Sequence, residues 1–121
     1  MLTVGVDIIE ISRVQRVLAR WGERFLNHLY TANEVALCRG RTPALAVRFA
    51  AKEAVMKALG TGTHGVGWRD IEILADSRGK PWVQLHGRAE ARAGEQGTYD
   101  LAVSLSHSRE YAVAVVIGSV A

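Results

Sequence analysis

The sequence predicts an α+β fold, a small single domain in which a largely antiparallel sheet packs against one long helix and several short ones. Three observations support this class. Apolar and polar residues alternate in Leu2–Ile8, as in a half-buried strand, whereas residues 42–59 have the uninterrupted pattern of one long helix. Short apolar runs in the second half are separated by turn residues, which favours hairpins. With 121 residues and 49% hydrophobic composition, we expect one domain over residues 1–121.

The first predicted element is a strand from Leu2 to Ile8. Its two faces alternate, with Val4, Val6 and Ile8 on one side and Thr3, Gly5 and Asp7 on the other. Asp7 is therefore a lone carboxylate near the end of an apolar strand. A helix follows, and Ser12 with Gln15 predicts a capping box at its start. The apolar residues that can face the core from this helix are Val14, Val17, Leu18 and Trp21.

Two further helices are predicted from their end signals. Thr31–Glu34 has the capping-box pattern and begins a short helix through Leu37. Thr42–Pro43 supplies an N-cap residue and a proline in the first turn of the long helix. That helix should run to about Leu59, because Gly60 is a typical C-terminal stop.

The remaining predicted elements are two hairpins with a short helix between them. In chain order they are a hairpin of Arg69–Leu74 and Pro81–Leu85 around Asp76–Gly79, a helix from about Gly87 to Ala93, and a hairpin of Leu101–Ser106 and Glu110–Ile117 with His107–Arg109 near its tip.

Composition excludes several classes of protein. Cys38 is the only cysteine, so the chain has no internal disulfide, and the four histidines have no cysteine companions at zinc-binding spacing. Met1–Val14 has neither a basic head nor a long apolar run, so we expect no signal peptide, no membrane span and a cytoplasmic protein.

A stripe of arginines is predicted on the first helix. Arg13, Arg16, Arg20 and Arg24 recur at helical spacing and would lie on one side. We call these four residues the basic stripe. It fits an ordinary solvated face, and equally a surface for an acidic protein, a nucleic acid or a membrane.

The second half of the predicted long helix, which precedes a glycine-rich loop, contains several charged residues. Arg48, Lys52, Glu53 and Lys57 lie between residues 48 and 57. Together with Asp7, this segment offers two carboxylates for one hard metal ion and several cations for a polyphosphate. The combination suits the transfer of a phosphoryl-linked group. Taken alone, Glu53 and Lys57 would be a surface salt bridge between neighbouring helical turns.

The loop Gly60–Gly65 satisfies the G-x-G-x-x-G pattern, but it follows a helix, whereas a dinucleotide fingerprint follows a strand and begins a helix. The match is therefore a false positive. Because the carboxyl end of a helix carries a partial negative charge, a phosphate at this loop would depend on cations or a metal.

Three ordered motifs resemble one known family over essentially the whole chain. They are Gly5-Val6-Asp7 followed by Arg13, the run Arg48-Phe49-Ala50-Ala51-Lys52-Glu53-Ala54 continuing to Lys57-Ala58-Leu59-Gly60-Thr61-Gly62, and Ser104-Leu105-Ser106-His107-Ser108 with Tyr111-Ala112. This pattern is similar to that of the holo-acyl-carrier-protein synthases, members of the 4'-phosphopantetheinyl transferase family.

The resemblance implies a specific reaction. Such enzymes move 4'-phosphopantetheine from coenzyme A to a serine of acyl carrier protein, release adenosine 3',5'-bisphosphate, and support fatty acid biosynthesis. It also implies magnesium as the metal, an acidic carrier protein as partner, and a homotrimer with active sites between subunits. The run Tyr111–Ile117, apolar on both faces, is the best candidate for the subunit interface.

The family's functional positions map onto this sequence by motif. The resemblance implies that Asp7 and Glu53 bind the metal and, with Lys57, form the catalytic group. It implies that Lys57 and Arg48 lie near the coenzyme A phosphates, and that Gly60, Thr61, Gly62 and His107 line the nucleotide pocket. Arg13, with the rest of the basic stripe, matches the helix that receives the carrier. Val47, where the family often has glycine, and Asn27-His28, where arginine is common, depart from the pattern and bear on carrier preference.

The mechanism implied is in-line attack by the carrier serine on the β-phosphorus of coenzyme A. Either Glu53, through a water, or a metal-bound hydroxide is a candidate base. Two other classes remain open at this point. In a nucleic-acid-binding module the basic stripe would follow phosphates, although interleaved exposed aromatics are lacking. In a structural trimer without catalysis, an intact set of Asp7, Glu53 and Lys57 would not be expected.

Overall fold

The structure is a computed structural model that describes residues 1–121, and it confirms the α+β class. In chain order its elements are β1 (Leu2–Glu10), α1 (Ile11–Trp21), α2 (Glu23–Leu29), α3 (Ala32–Cys38), α4 (Thr42–Leu59), a 3-10 helix (Trp68–Asp70), β2 (Ile71–Ala75), β3 (Pro81–Leu85), α5 (Gly87–Gln96), β4 (Thr98–His107) and β5 (Tyr111–Val120).

The strands form two separate antiparallel sheets. The larger sheet has the order β1-β5-β4, so the last strand of the chain lies between the first strand and its own hairpin partner. The smaller sheet consists of β2 and β3 alone. Helix α4 lies against one face of the larger sheet and is buried along most of its length. No helix combines the length and apolar character needed to cross a bilayer.

Small residues allow β1 and α4 to approach closely. The stripe of Val47, Ala51, Ala54 and Ala58 on α4 is buried, as its composition predicts. On the strand, Gly5 faces this stripe, and a Cβ atom added there would lie 1.9 Å from the carbonyl oxygen of Ala54. Only glycine fits this position, because the obstruction is helix backbone.

In β1 the face with the polar and small residues is turned toward α4 and the apolar face is turned away from it, which is the reverse of a usual half-buried strand. Thr3, Gly5 and Asp7 face α4, and Thr3 Oγ1 donates to Ala58 O at 2.7 Å. The apolar face is exposed, with Val4 63%, Val6 54% and Ile8 63% accessible. It continues onto β5 through the cross-strand partners of these residues, Ile117, Val115 and Val113. The larger sheet therefore presents an apolar face to solvent in the single chain.

Helix α1 differs from the prediction at its start. It begins at Ile11 with Glu10 as N-cap residue, and no side chain caps it, so the predicted capping box of Ser12 and Gln15 is wrong. Only Val14 of the four apolar candidates is buried, whereas Val17 and Trp21 are exposed. Helix α2 was not predicted.

The other predicted ends agree more closely. Thr31–Glu34 forms the predicted capping box, with Thr31 N donating to Glu34 Oε1 at 2.9 Å. Helix α4 ends at Leu59, and Gly60 adopts the left-handed conformation. The N-cap of α4 is Arg41 rather than Thr42, and α5, β4 and β5 are longer than predicted.

A buried acidic side chain ties the smaller sheet to α3. Glu72 on β2 accepts hydrogen bonds from Thr31 Oγ1 at 2.6 Å and Asn33 Nδ2 at 3.2 Å, and its Oε1 lies 3.0 Å from His86 Nε2. Burial alone would raise the pKa of Glu72, but these hydrogen bonds outweigh it and the pKa is lowered.

Candidate active site

Asp7, Glu53 and Lys57 meet where the end of β1 crosses α4. Glu53 and Lys57 are one helical turn apart and therefore share a side of α4. Lys57 Nζ donates to Asp7 Oδ1 at 3.1 Å and to Val6 O at 2.8 Å. Lys57 is 53% exposed and Asp7 is 11% exposed, so the cluster lies at the surface with the Asp7 carboxylate set into it. The close approach of β1 at Gly5 brings Asp7 to the helix.

The electrostatics of this cluster favour a cation between the two carboxylates. Partial burial raises the pKa of Glu53, and the charge of Asp7 and a hydrogen bond with it raise this pKa further. Lys57 and Arg13 oppose the rise. The two acids therefore compete for positive charge, and α1, which carries Arg13, packs against α4.

The donor set fits magnesium better than zinc. Nowhere in the chain do three or more histidine, cysteine, aspartate or glutamate side chains cluster to hold an ion by themselves. Magnesium needs only one or two carboxylates when substrate phosphates and waters complete its coordination. Asp7 and Glu53 supply such a pair.

Arg48 and His107 lie elsewhere. They line a cavity of about 510 Å³ together with Arg41, Pro43, Ala44 and Val47. Arg48 is largely buried, and its guanidinium donates to Ile73 O at 3.1 Å and Ala44 O at 3.3 Å. Along α4, Arg48 and Lys57 are nine residues apart, which corresponds to opposite sides of a helix. One chain therefore does not bring Arg48 and His107 to the carboxylate cluster.

Sequence reasoning missed Arg41, which lines the cavity with Arg48 and His107. A signal was available, since residues seven apart lie nearly on the same side of a helix and Arg41 precedes Arg48 by seven.

Lys52 is not one of the cations available for a polyphosphate, although the sequence grouped it with them. Its side chain is 0% exposed, and its ammonium group donates to Glu34 Oε1 at 2.7 Å, to Trp68 O at 3.0 Å and to Ile71 O. An ammonium has three hydrogens, and all three are used. Lys52 is therefore a buried structural lysine, whereas Lys57, five residues later on the same helix, is exposed.

The glycine loop, residues 60–67, leaves α4 beside Lys57. Gly60 N donates to Lys57 O at 3.1 Å, and Thr61 N donates to Met56 O at 3.1 Å. From α5, Arg92 Nε donates to Leu59 O at 2.9 Å, which places a cation at the negative end of the helix. The loop thus begins next to the carboxylate cluster.

The basic stripe is exposed but spans two helices. Arg13, Arg16 and Arg20 lie on α1, whereas Arg24 lies on α2 beyond a break at Gly22. The guanidinium groups of Arg20 and Arg24 lie 5.1 and 5.6 Å from the ring centre of Trp21. Cation–π contact therefore holds the two arginines together across the break.

The chain is similar to known proteins over nearly its whole length. A family model described as the 4'-phosphopantetheinyl transferase superfamily matches residues 3–116. The holo-[acyl-carrier-protein] synthase of Herpetosiphon aurantiacus is 47% identical over 125 aligned residues, which cover 98% of each chain. The protein of the same name from Dehalococcoides mccartyi is 50% identical over 117 residues, covering 97% of this chain and 98% of the relative.

Solved structures give the same result. Helicobacter pylori holo-[acyl-carrier-protein] synthase in complex with coenzyme A superposes with a TM-score of 0.88 at 30% identity, covering 96% of this chain and 99% of that chain. The Neisseria meningitidis synthase superposes with a TM-score of 0.88 at 33% identity, covering 97% of each chain. This chain belongs to the 4'-phosphopantetheinyl transferase superfamily, which confirms the family expected from the sequence motifs.

Proposed function

We propose that the protein is a holo-[acyl-carrier-protein] synthase, which transfers 4'-phosphopantetheine from coenzyme A to a serine of apo acyl carrier protein and releases adenosine 3',5'-bisphosphate. The observation that carries this proposal is the cluster of Asp7, Glu53 and Lys57 in a member of this superfamily. Two carboxylates and a lysine suit a pyrophosphate held through a divalent cation. We extend the proposal to fatty acid biosynthesis and to a cytoplasmic location.

In this proposal magnesium is held by Asp7 and Glu53. When bound, it would neutralise negative charge on the pyrophosphate during transfer. Lys57 is exposed enough to exchange its contact with Asp7 for a phosphate oxygen, so it would orient the diphosphate. The base for the serine proton would be Glu53, acting through a water, or a hydroxide held by the metal.

Arg48, His107 and the residues Gly60, Thr61 and Gly62 would bind the nucleotide half of coenzyme A. Because Arg48 and Lys57 lie on opposite sides of α4, one chain cannot present both groups to one ligand molecule. We therefore propose that the site forms between subunits, with the cluster from one chain and the Arg48 cavity from its neighbour.

The exposed face of the larger sheet is the surface we assign to this assembly, a homotrimer. Val4, Val6, Ile8 and Ile117 form a contiguous apolar area of the kind that marks interfaces rather than solvent-facing surface. Light scattering should report three chains. Val6→Asp, which puts a charge in the centre of this face, should give monomers without activity, and an active monomer would contradict the shared site.

The basic stripe would dock the acidic carrier. It begins at Arg13 on α1, the helix that packs against α4, and it continues along the exposed side of α1. A carrier bound there would bring its serine to the cluster. Steering by opposite charge increases the encounter rate more than the affinity.

The proposed reaction is tested by its small product. The protein is incubated with coenzyme A, apo acyl carrier protein and magnesium, and adenosine 3',5'-bisphosphate is measured by chromatography. Release should depend on the carrier and stop when the accepting serine is replaced by alanine. Asp7→Asn is the matched control for the enzyme. Release without carrier would indicate a hydrolase instead.

A further inference from the structure

The free edge of β2 is covered by side chains rather than by a strand. β2 pairs only with β3, so one edge has no strand partner. On that edge, Ile73 N donates to Glu34 Oε2 at 3.0 Å, and Arg48 Nε donates to Ile73 O at 3.1 Å. Lys52 donates to Ile71 O on the same edge. Charged side chains from α3 and α4 thus take the place of a neighbouring strand.

Lys52 is the centre of this arrangement. Burial lowers the pKa of Lys52, and the Glu34 carboxylate 2.7 Å away opposes this shift. Both side chains are 0% exposed, and no buried side-chain nitrogen or oxygen in the protein lacks a hydrogen-bond partner. Although Lys52 precedes Glu53 in the sequence, its ammonium does not reach the carboxylate cluster, because its hydrogens are donated to Glu34, Trp68 O and Ile71 O.

One of the three bonds reaches the end of the glycine loop. Trp68 immediately follows the loop, and its carbonyl oxygen accepts from Lys52 Nζ at 3.0 Å. The Trp68 ring stacks on Phe49 of α4 with a centroid distance of 5.1 Å. The other end of the loop is fixed on the same helix by the bond from Thr61 N to Met56 O. Residues 62–65 between these two anchors are exposed.

We propose that Lys52 is a positioning residue for coenzyme A: it fixes the far end of the glycine loop on α4 and so sets where the loop meets the ligand. This inference rests on the proposed function, in which Gly60–Gly62 contacts coenzyme A. Gly62 and Gly65 have positive φ, and residues 62–65 are exposed. The far end of the loop is also held by Val66, which is buried, and by Gly67 N, which donates to Asp70 Oδ2 at 2.9 Å. Lys52 acts together with these contacts in setting where the exposed residues lie. Releasing one anchor should widen the range of loop positions and weaken binding.

The test removes the buried pair without leaving a lone charge. In Glu34→Gln/Lys52→Gln both positions retain amide groups that can bond the backbone partners. We expect this variant to bind coenzyme A roughly tenfold more weakly by calorimetry, as when supporting contacts behind a ligand site are removed. Amide hydrogens of residues 62–68 should exchange faster, while kcat at saturating coenzyme A stays near the wild-type value.

Tyr30→Phe is the matched control. It removes another buried hydrogen bond to α4, from the Tyr30 hydroxyl to Leu45 O at 2.8 Å, at the end of the helix away from the loop. It should lower stability without changing coenzyme A affinity or loop exchange. Equal effects in both variants, or an unchanged affinity and exchange in the double variant, would overturn the proposal.

Two further results are distinguishable. If the double variant does not fold, Lys52→Arg, which retains the charge but alters the hydrogen-bond geometry, should show the same faster exchange, and unchanged exchange would overturn the proposal. If wild-type protein binds no coenzyme A, the proposed function fails, whereas the exchange comparison still decides whether Lys52 anchors the loop.

Discussion

Gly5→Ala tests how tightly the carboxylate cluster depends on the contact between β1 and α4. The added Cβ would lie 1.9 Å from Ala54 O and 3.0 Å from Ala58 N. Ordinary contact begins near 3.4 Å, so the strand must move away from the helix by about 1.5 Å. The obstructing atoms are helix backbone and cannot turn aside as a side chain can.

The magnitude follows from this displacement. Overpacking typically costs about 1–3 kcal/mol, and backbone contact at this distance corresponds to the upper end, about 3 kcal/mol. For a domain of this size that lowers Tm by about 10 °C. Asp7 lies two residues further along the same face, so its carboxylate moves with the strand, and a misplacement of roughly 1 Å can reduce the rate by about 10²-fold.

The assay combines urea unfolding with initial rates of transfer under conditions in which the variant is folded. Gly118→Ala on β5 is the control, because its added Cβ would meet side-chain atoms at 2.8 and 3.1 Å, which can shift. It should lose less stability and retain more activity. Wild-type stability and activity in Gly5→Ala would refute the close-packing explanation.

Three other predictions concern charged groups. Asp7→Asn and Glu53→Gln should each reduce activity on the order of 10²-fold. The double variant should lose little more, because the two acids share one ion, and additive losses would contradict a shared site. EDTA should abolish the activity, and magnesium should restore it. Arg13→Glu and Arg20→Glu should raise KM for the carrier about threefold without altering coenzyme A binding. In the wild type, kcat/KM for the carrier should fall as salt is added, since the Debye length is about 10 Å at 0.1 M. Unchanged carrier kinetics in both variants would mean that the basic stripe is only a solvated face. The lowered pKa of Glu72 means that the unfolded chain binds the proton more tightly, so stability is retained above pH 4.5 and lost as the pH falls through the folded-state pKa. Glu72→Gln should remove that loss, which urea unfolding at pH 3 to 6 would measure. If the free energy of unfolding of the variant fell with pH as steeply as that of the wild type, this role of Glu72 would be refuted.

Features determined by local chemistry could be predicted from the sequence. The Thr31–Glu34 capping box and the end of α4 at Gly60 depend on residues within one helical turn, and the structure contains both. The start of α1 was predicted wrongly because Glu10 N-caps the helix directly from β1, without any capping side chain. Helix α2 was missed because it is a seven-residue helix after a break at Gly22.

Features determined by distant partners could not be predicted in this way. The alternation in β1 was evident, but the sequence does not reveal that α4 covers the side with Gly5 and leaves Val6 exposed. Lys52 and Lys57 look alike in the sequence, and only the carboxylate of Glu34, brought close by folding, distinguishes the buried lysine from the exposed one. The residue types already offered Asp7 and Glu53 as two carboxylates for one metal ion, and the family motifs implied the same, but no local pattern shows that β1 brings Asp7 to α4.

The most direct test of the central claim is the intact mass of the carrier. Apo acyl carrier protein incubated with this protein, coenzyme A and magnesium should gain the mass of one phosphopantetheine group, located on a single serine by fragmentation. The gain should be absent when magnesium is chelated and absent with Glu53→Gln. A carrier of unchanged mass in the presence of folded protein, coenzyme A and magnesium would contradict the proposed transfer.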